Sequence, residues 1–383
     1  MGGAGHLARR RGPRVKMDNL THAFAAITCS HAISRERPSG LTLAAAVLAA
    51  NVQDVDWLPF VSSPAAGLEV HRGTMHSLLA VPLLALVVAA GVHLAARQRG
   101  NGAAPLPFRP LLGVCLAAAA SHPLLDLLNP YGLRPLLPFD GTWCYGDLAG
   151  IRDPWMWLIL GGSALLLSGR HAASVSTWTV LGSLIVVAAL RMIPAQGTFG
   201  VVAGLVWIAG AGALLITWLR GVDPHARRAI ARGGLAVTVL YVGCLVVLHQ
   251  RAMSRAYTIA ERTAGEHAER AVRVAAIPTV GDLSTWRGLA ETERSVYRFA
   301  IPLGAASEGL VERFRSIRDP TVGALAQADA TRLTRAFLSF ARFAAAEVGT
   351  EDGRRVLLLA DPRYDKAQPD QPRTWPVREP LDP

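Results

Sequence analysis

Charge is the first thing this chain is short of. Only 17% of its 383 residues are charged, where soluble domains carry about 25%. Hydrophobic residues make up 51%, with a mean hydropathy of +0.30, and they come in blocks. Cysteine is scarce as well. Cys29, Cys115, Cys144 and Cys244 form no C-x-x-C pair, and three of them sit in apolar segments where a thiol acts as a small hydrophobe. This excludes a disulfide framework and fixes no redox compartment. Also absent are an internal repeat and, in the basic opening residues 1–16, the apolar core that a secretory signal peptide requires.

The basic excess, 39 Lys+Arg against 28 Asp+Glu, is almost all arginine. A nucleic-acid partner would need those arginines as a stripe on a soluble face. Here they flank apolar runs or scatter through the last third, the pattern of membrane flanking, so no nucleic acid is expected. Several runs approach the roughly 20 residues that cross a bilayer as a helix. The expected fold class is therefore mainly α: a polytopic helical membrane domain with a small α+β C-terminal domain.

Residues 1–16 read as a basic disordered arm or as a misplaced start, with Met17 the initiator. Residues 17–250 form the membrane domain. Asp18 is placed to cap a helix running to Ile33, since its carboxylate can accept first-turn amides. A second apolar run, Leu41–Ala50, returns after the break at Pro38. Each of these two is short for a span, which predicts a partly inserted hairpin. Longer runs follow at 77–96, 110–128, 155–169, 174–190, 200–219 and 233–249. From 251 to 365 the composition suits a domain of ordinary size: a charged helix over Met253–Ala276, strands at Ser295–Ile301 and Val356–Ala360, and a helix from Ala324 to Glu347. A proline-rich tail, 366–383, closes the chain.

Chemistry concentrates in a few apolar-flanked positions: His22, Asp54, Asp56, His71, His76, His122 and Asp126. Ionisable groups beside membrane spans are costly and mark function by default. Imidazole and carboxylate together are the donor set of zinc and similar divalent ions, which gives the expected cofactor, as one or two ions. His122 and Asp126, four apart, share a helix face. Asp54 and Asp56 can bridge two ions or divide into ligand and base. His71 and His76 flank a turn at Arg72-Gly73. Antiparallel neighbours bring the start of run 77–96 beside the end of run 110–128, and the hairpin brings His22 beside Asp54 and Asp56. Taken singly, each residue has a bland reading: an interfacial histidine, a cap, a solvated helix end. Seven such readings at one membrane face make a poor alternative. Arg72 is placed to grip an anionic substrate group or a lipid phosphate. Thr21, Thr74, Ser77 and Asn129 are placed to orient ligands. Trp155 reads as an interface anchor and His93 as a snorkelling residue.

These motifs — MDNLTHA at Met17, DVD at Asp54, HRGTMHS at His71, SHPLLDLLNPYG at Ser121 and RDPW at Arg152 — resemble the membrane-bound metal-dependent hydrolase family, in its LexA-regulated branch. The likeness is strong over 17–157 and extends over the C-terminal domain through Trp286-Arg287 and Asp361-Pro362-Arg363-Tyr364. It implies a multi-pass protein of the bacterial inner membrane whose ligands fall on the seven residues above. Met75, standing between Thr74 and His76, departs from the pattern and weakens Thr74's supporting role.

If the site faces outward, the inner loops hold ten arginines, and the outer loops up to residue 199 hold Arg72, Arg134, Arg152 and Arg191. Positive-inside bias then favours an extracytoplasmic site, with the C-terminal domain on the same side as a lid or wall. Basic residues before Met17 oppose this, and a start at Met17 removes the conflict. The function expected is hydrolysis of an amphiphilic substrate, a small molecule or lipid, with a phosphoester the candidate bond. Asp54 or Asp56 would act as base and Arg72 as substrate grip. The rival readings are a metal- or proton-coupled transporter, which needs ionisable groups at several depths, and a structural metal clip with closed coordination.

Overall fold

The computed structural model describes residues 18–98, 106–195, 197–304, 310–328, 330–351, 353–364 and 377–381. The arm 1–16, the proposed start at Met17 and most of the proline-rich tail lie outside the described residues.

Helices α1 (Asn19–Ile33) and α2 (Gly40–Asn51) form the expected hairpin, each started by a side-chain cap. Asp18 accepts from Thr21 N, and Ser39 accepts from Thr42 N. A 3-10 turn, Val52–Trp57, follows α2, then two short helices, α3 (Pro59–Ser62) and α4 (Pro64–Val70). Next come α5 (Ala80–Gln98) and α6 (Phe108–Leu127), both long and apolar enough to cross a membrane. The hairpin packs on α5 and α6 through Ala26, Ala45, Ala49, Ala85, Ala89 and Ala118, all fully buried. Small residues let helix backbones approach closely, and in a membrane that packing replaces the missing hydrophobic drive.

Run 155–169 departs from expectation. It is a single short rod, α7 (Pro154–Met156), a π turn at Trp157–Gly161 and α8 (Gly162–Leu167). At roughly 21 Å by its 1.5 Å rise per residue it falls short of a bilayer core. The π turn coincides with Trp157, whose indole donates to the Asp18 carboxylate. Three further long apolar helices complete the membrane part: α9 (Ala172–Met192), α10 (Gly197–Arg220) and α11 (Arg227–Glu266).

Residue 250 is not a break. Helix α11 runs straight through it, and its second half packs Ala252, Ala256, Ile259 and Ala260 under a sheet. The change in composition there marks emergence from an apolar environment. That sheet is antiparallel, in the order β1 (Arg273–Thr279), β2 (Asp282–Glu291), β3 (Ser295–Pro302), β4 (Glu312–Arg315). Fully buried Trp286 stands opposite Ile301 in the β2–β3 register.

The helix expected over Ala324–Glu347 is instead α12 (Pro320–Ala328), α13 (Arg332–Phe340) and a strand, β5 (Ala345–Glu351). Thr331 starts α13 afresh, accepting from Thr334 N. Pairing with β6 (Arg354–Ala360) sets β5, so tertiary context overrides local propensity. Within the tail, β7 (Val377–Pro380) adds a third strand to that sheet.

The C-terminal part rests on the loops at the start of α5 and the end of α6. Phe337 and Phe340 of α13 bury against Ala65, Leu68 and Tyr131. Arg363 donates to Pro130 O at 2.9 Å, and Arg342 pairs with Asp147 at 2.7 Å. It therefore sits at the same end of the helices as the histidines and aspartates.

Candidate metal centre

Backbone chemistry builds this site before any ligand is considered. Pro123 inside α6 has no N–H, so the carbonyl of Ala119 loses its helical donor. Gln53, fully buried, supplies one: Nε2 donates to Ala119 O at 2.8 Å. That bond pins the Val52–Trp57 turn, with Asp54 and Asp56 on it, against the helix holding His122 and Asp126. A second tie comes from the end of α2, where Ala50 O lies 2.5 Å from His122 Nδ1. A donor role for Nδ1 leaves Nε2 as the lone-pair nitrogen of His122, facing the centre.

Four atoms from three segments converge there. His76 Nε2 lies 3.0 Å from His122 Nε2. Asp126 Oδ2 is 3.4 Å from each of those nitrogens, and Asp54 Oδ1 is 3.6 Å from each. Donors about 2.0–2.1 Å from a tetrahedral centre stand roughly 3.3–3.4 Å apart, so these edges fit a divalent ion. Asp126 Oδ2 is buried with no hydrogen-bond donor, which buried acceptors rarely tolerate. His22 stacks on His122 with ring centres 3.8 Å apart and brings Nε2 to 3.6 Å from Asp126 Oδ1. Two overlapping groups could hold a metal, His22–His122–Asp126 and Asp54–His76–His122.

Asp56 and His71 stand one layer behind. Asp56 Oδ1 is 2.7 Å from His71 Nδ1, and Oδ2 is 3.0 Å from His76 Nδ1. The backbone N–H of Arg72 donates to that same Oδ2 at 3.0 Å. Burial opposes ionisation of Asp56, but the hydrogen bonds to His71 and His76 outweigh it and hold the carboxyl at about 2. His76 faces the opposite balance. Burial disfavours its charge, yet Asp126, Asp54 and Asp56 hold its pKa well above the ordinary value. Three carboxylates thus draw positive charge to one spot, as a proton or as a metal ion.

The turn His71-Arg72-Gly73 is shaped by its backbone. Arg72 adopts φ +54°, a left-handed conformation that side chains rarely take outside functional turns. A Cβ on Gly73 would lie 2.6 Å from Val70 O. Against expectation, the Arg72 guanidinium is not offered to a substrate. It is buried, donating to Asp126 Oδ1 and Asn129 Oδ1 at 2.8 Å each, and it lies 4.8 Å over the Tyr131 ring. Desolvation explains this, since a buried cation needs its partners close.

Of the expected supporting residues, Asn129 orients Arg72, whereas Ser77 caps α5 through Ala80 N and Thr21 bonds Asp18. Thr74 is exposed. Trp155 packs among buried hydrophobics, and His93 holds Leu106 O at 2.9 Å. Sequence reasoning missed Gln53, Asn19 and Tyr131. The first had a signal: a proline inside an apolar helix implies an orphaned carbonyl and hence a donor. Asn19 Nδ2 donates to Asp54 Oδ2 at 2.8 Å.

Residues 17–198 match the model of the family described as YdjM inner membrane protein. The YdjM match takes in every residue of the centre and stops at the start of α10. Together with the five long apolar helices it supports a multi-pass inner-membrane protein. The YdjM description names a location and no reaction, and the α+β part lies outside the match. No curated protein and no solved structure matches the chain.

Proposed function

We propose that this protein is a membrane-embedded metal-dependent hydrolase acting on an amphiphilic ester or phosphoester at the lipid–water boundary. One observation supports it above the rest: His76 Nε2, His122 Nε2 and Asp126 Oδ2, from distant segments, stand 3.0–3.4 Å apart at one end of apolar helices, with Asp54 beside them. Zinc suits the donor set. A single ion is favoured over two, because both candidate groups draw on His122, whose Nδ1 is engaged by Ala50 O.

His76, His122 and Asp126 would hold the ion, all three being buried. Asp54 stands at the most accessible corner, its side chain 8% exposed, with Oδ2 steadied by Asn19. Bound there, the ion supplies Lewis-acid polarisation and eases water ionisation near neutral pH. Asp54 is the base in this reading. It takes the proton as water's oxygen bonds to the scissile carbon or phosphorus, and it returns that proton to the departing oxygen. Asp56 is the poorer candidate, since Oδ1 faces His71 at 2.7 Å and Oδ2 accepts from the Arg72 N–H at 3.0 Å, whereas Asp54 Oδ1 stands 3.6 Å from the two imidazole nitrogens beside it. Arg72 positions Asp126. Ionisable groups gathered at one end, rather than spread through the depth of the helices, weigh against a transport pathway.

The test is metal content and hydrolysis of an ester and phosphoester panel by purified protein, wild type and His76→Ala. Stoichiometric zinc and turnover in wild type, both lost in the variant, are expected. Equal metal content with no turnover in either would sink the enzyme reading. Tightly held metal without turnover in wild type would instead favour the structural clip.

A further inference from the structure

Among the described residues, a groove of about 600 Å³ runs between α1 and α2. Its walls are Ala23 and Ile27 on one side and Ala44, Val47 and Leu48 on the other, all apolar. Leu48 is 51% exposed, although both helices pack on membrane-length neighbours. The groove thus opens laterally, toward the space that lipid fills. Its floor is low because alanines sit where larger residues would close the seam.

The head of the groove is different. There Asn19 Nδ2 donates to Asn51 Oδ1 at 3.0 Å and to Asp54 Oδ2 at 2.8 Å. An apolar channel therefore ends on two neutral amides, one of which, Asn19, bonds the least buried donor of the metal centre. His76, His122 and Asp126 are at most 3% exposed, and the Asp54 side chain, 8% exposed, is the most accessible of the four. Along α2, from Leu43 to Asn51, the groove extends about 12 Å at 1.5 Å per residue.

Resting on the hydrolase reading above, we propose that this groove seats one acyl chain of a membrane lipid, whose head then reaches Asp54 past the Asn19–Asn51 pair. The lipid enters sideways from the bilayer. Chain burial supplies little drive, because the chain leaves one apolar medium for another. The groove therefore acts by positioning the head, and blocking it impairs lipid turnover without touching the metal.

The experiment uses full-length protein in nanodiscs of phosphatidylethanolamine and phosphatidylglycerol, with a trace of phosphatidylethanolamine bearing a diazirine in its acyl tail. After irradiation, adducts are mapped by peptide mass spectrometry. Labelling of Ala23–Ile27 and Ala44–Leu48 is expected several-fold above that on equally exposed faces of α10, such as Leu205 and Val206. Ala44→Trp, and independently Leu48→Trp, should abolish that excess while metal content stays at the wild-type level. The same variants should lose turnover of long-chain lipid and keep turnover of a short water-soluble ester. Labelling no greater than on α10 overturns the proposal, as does cross-linking of the groove to a second copy of the chain. Normal lipid turnover by both Trp variants also overturns it. Groove labelling with no hydrolysis of any substrate leaves the lipid seat standing and removes the hydrolase reading.

Discussion

Asp56 holds two imidazoles with one carboxylate, and that makes it a positioning residue. Carboxylates behind metal-binding histidines typically account for 10–100-fold in affinity. On the proposed metal-centre reading, Asp56→Asn should weaken zinc binding by about that factor, as read by competition with a chromophoric chelator, while His76 and His122 remain in place. The same variant has a pH signature. Asp56 sits at about 2 in the folded chain against an ordinary 3.8. A depressed carboxyl contributes stability that is complete above its unfolded value and is lost as pH falls through the folded one. Wild type should lose stability between those two values, and the variant should show a flatter acid limb in denaturant titrations. An unchanged acid limb would argue that His71 and His76 do not contact this carboxylate.

At the scale of elements, the Gln53–Ala119 bond is what joins the aspartate turn to α6. Gln53→Ala leaves a buried carbonyl without a donor, a loss of about 1–3 kcal/mol, readable as a lower thermal midpoint in detergent. Adding Pro123→Ala gives α6 back its own N–H, so the double variant should recover most of that loss, a coupling that a double-mutant cycle resolves. Additive losses would mean the proline and the glutamine act separately. This element also shows what could be read beforehand. His76, His122, Asp54 and Asp126 were legible because each lies in a short polar motif set in apolar sequence. The division of the seven candidates into an inner four, a supporting pair (Asp56 and His71) and His22 stacked on His122 was not, because it depends on which ring nitrogen faces which neighbour. Arg72 misled for a related reason: its left-handed backbone turns the guanidinium inward, and the motif does not encode that. Residues 324–347 are rich in alanine, leucine and arginine and read as one helix, whereas pairing between β5 and β6, set by contacts from elsewhere in the chain, decides their fate.

Across the whole molecule, the α+β part is tied to the centre by a short relay. Asp126 bonds Arg72, Arg72 lies over Tyr131, and Tyr131 packs on Phe340 with ring centres 4.8 Å apart. Phe340 is buried in that junction together with Leu68. Phe340→Ala should cost about 3–5 kcal/mol by analogy with other buried aromatics. Because the junction lies between two parts, that loss should appear as undocking: faster proteolysis near Arg332 and Arg342 with the membrane helices intact. Uniform destabilisation of both parts would contradict a docked arrangement.

Helix α11 has a mechanical consequence. It is one uninterrupted rod from Arg227 to Glu266, with no hinge between its lipid-facing half and the half beneath the sheet. The height and azimuth of the α+β platform are therefore geared to the bilayer. One extra residue inserted near Arg251 would swivel the platform by about 100° and raise it about 1.5 Å, taking Phe340 and Arg363 off their seats while leaving the histidines and aspartates of the centre in the chain.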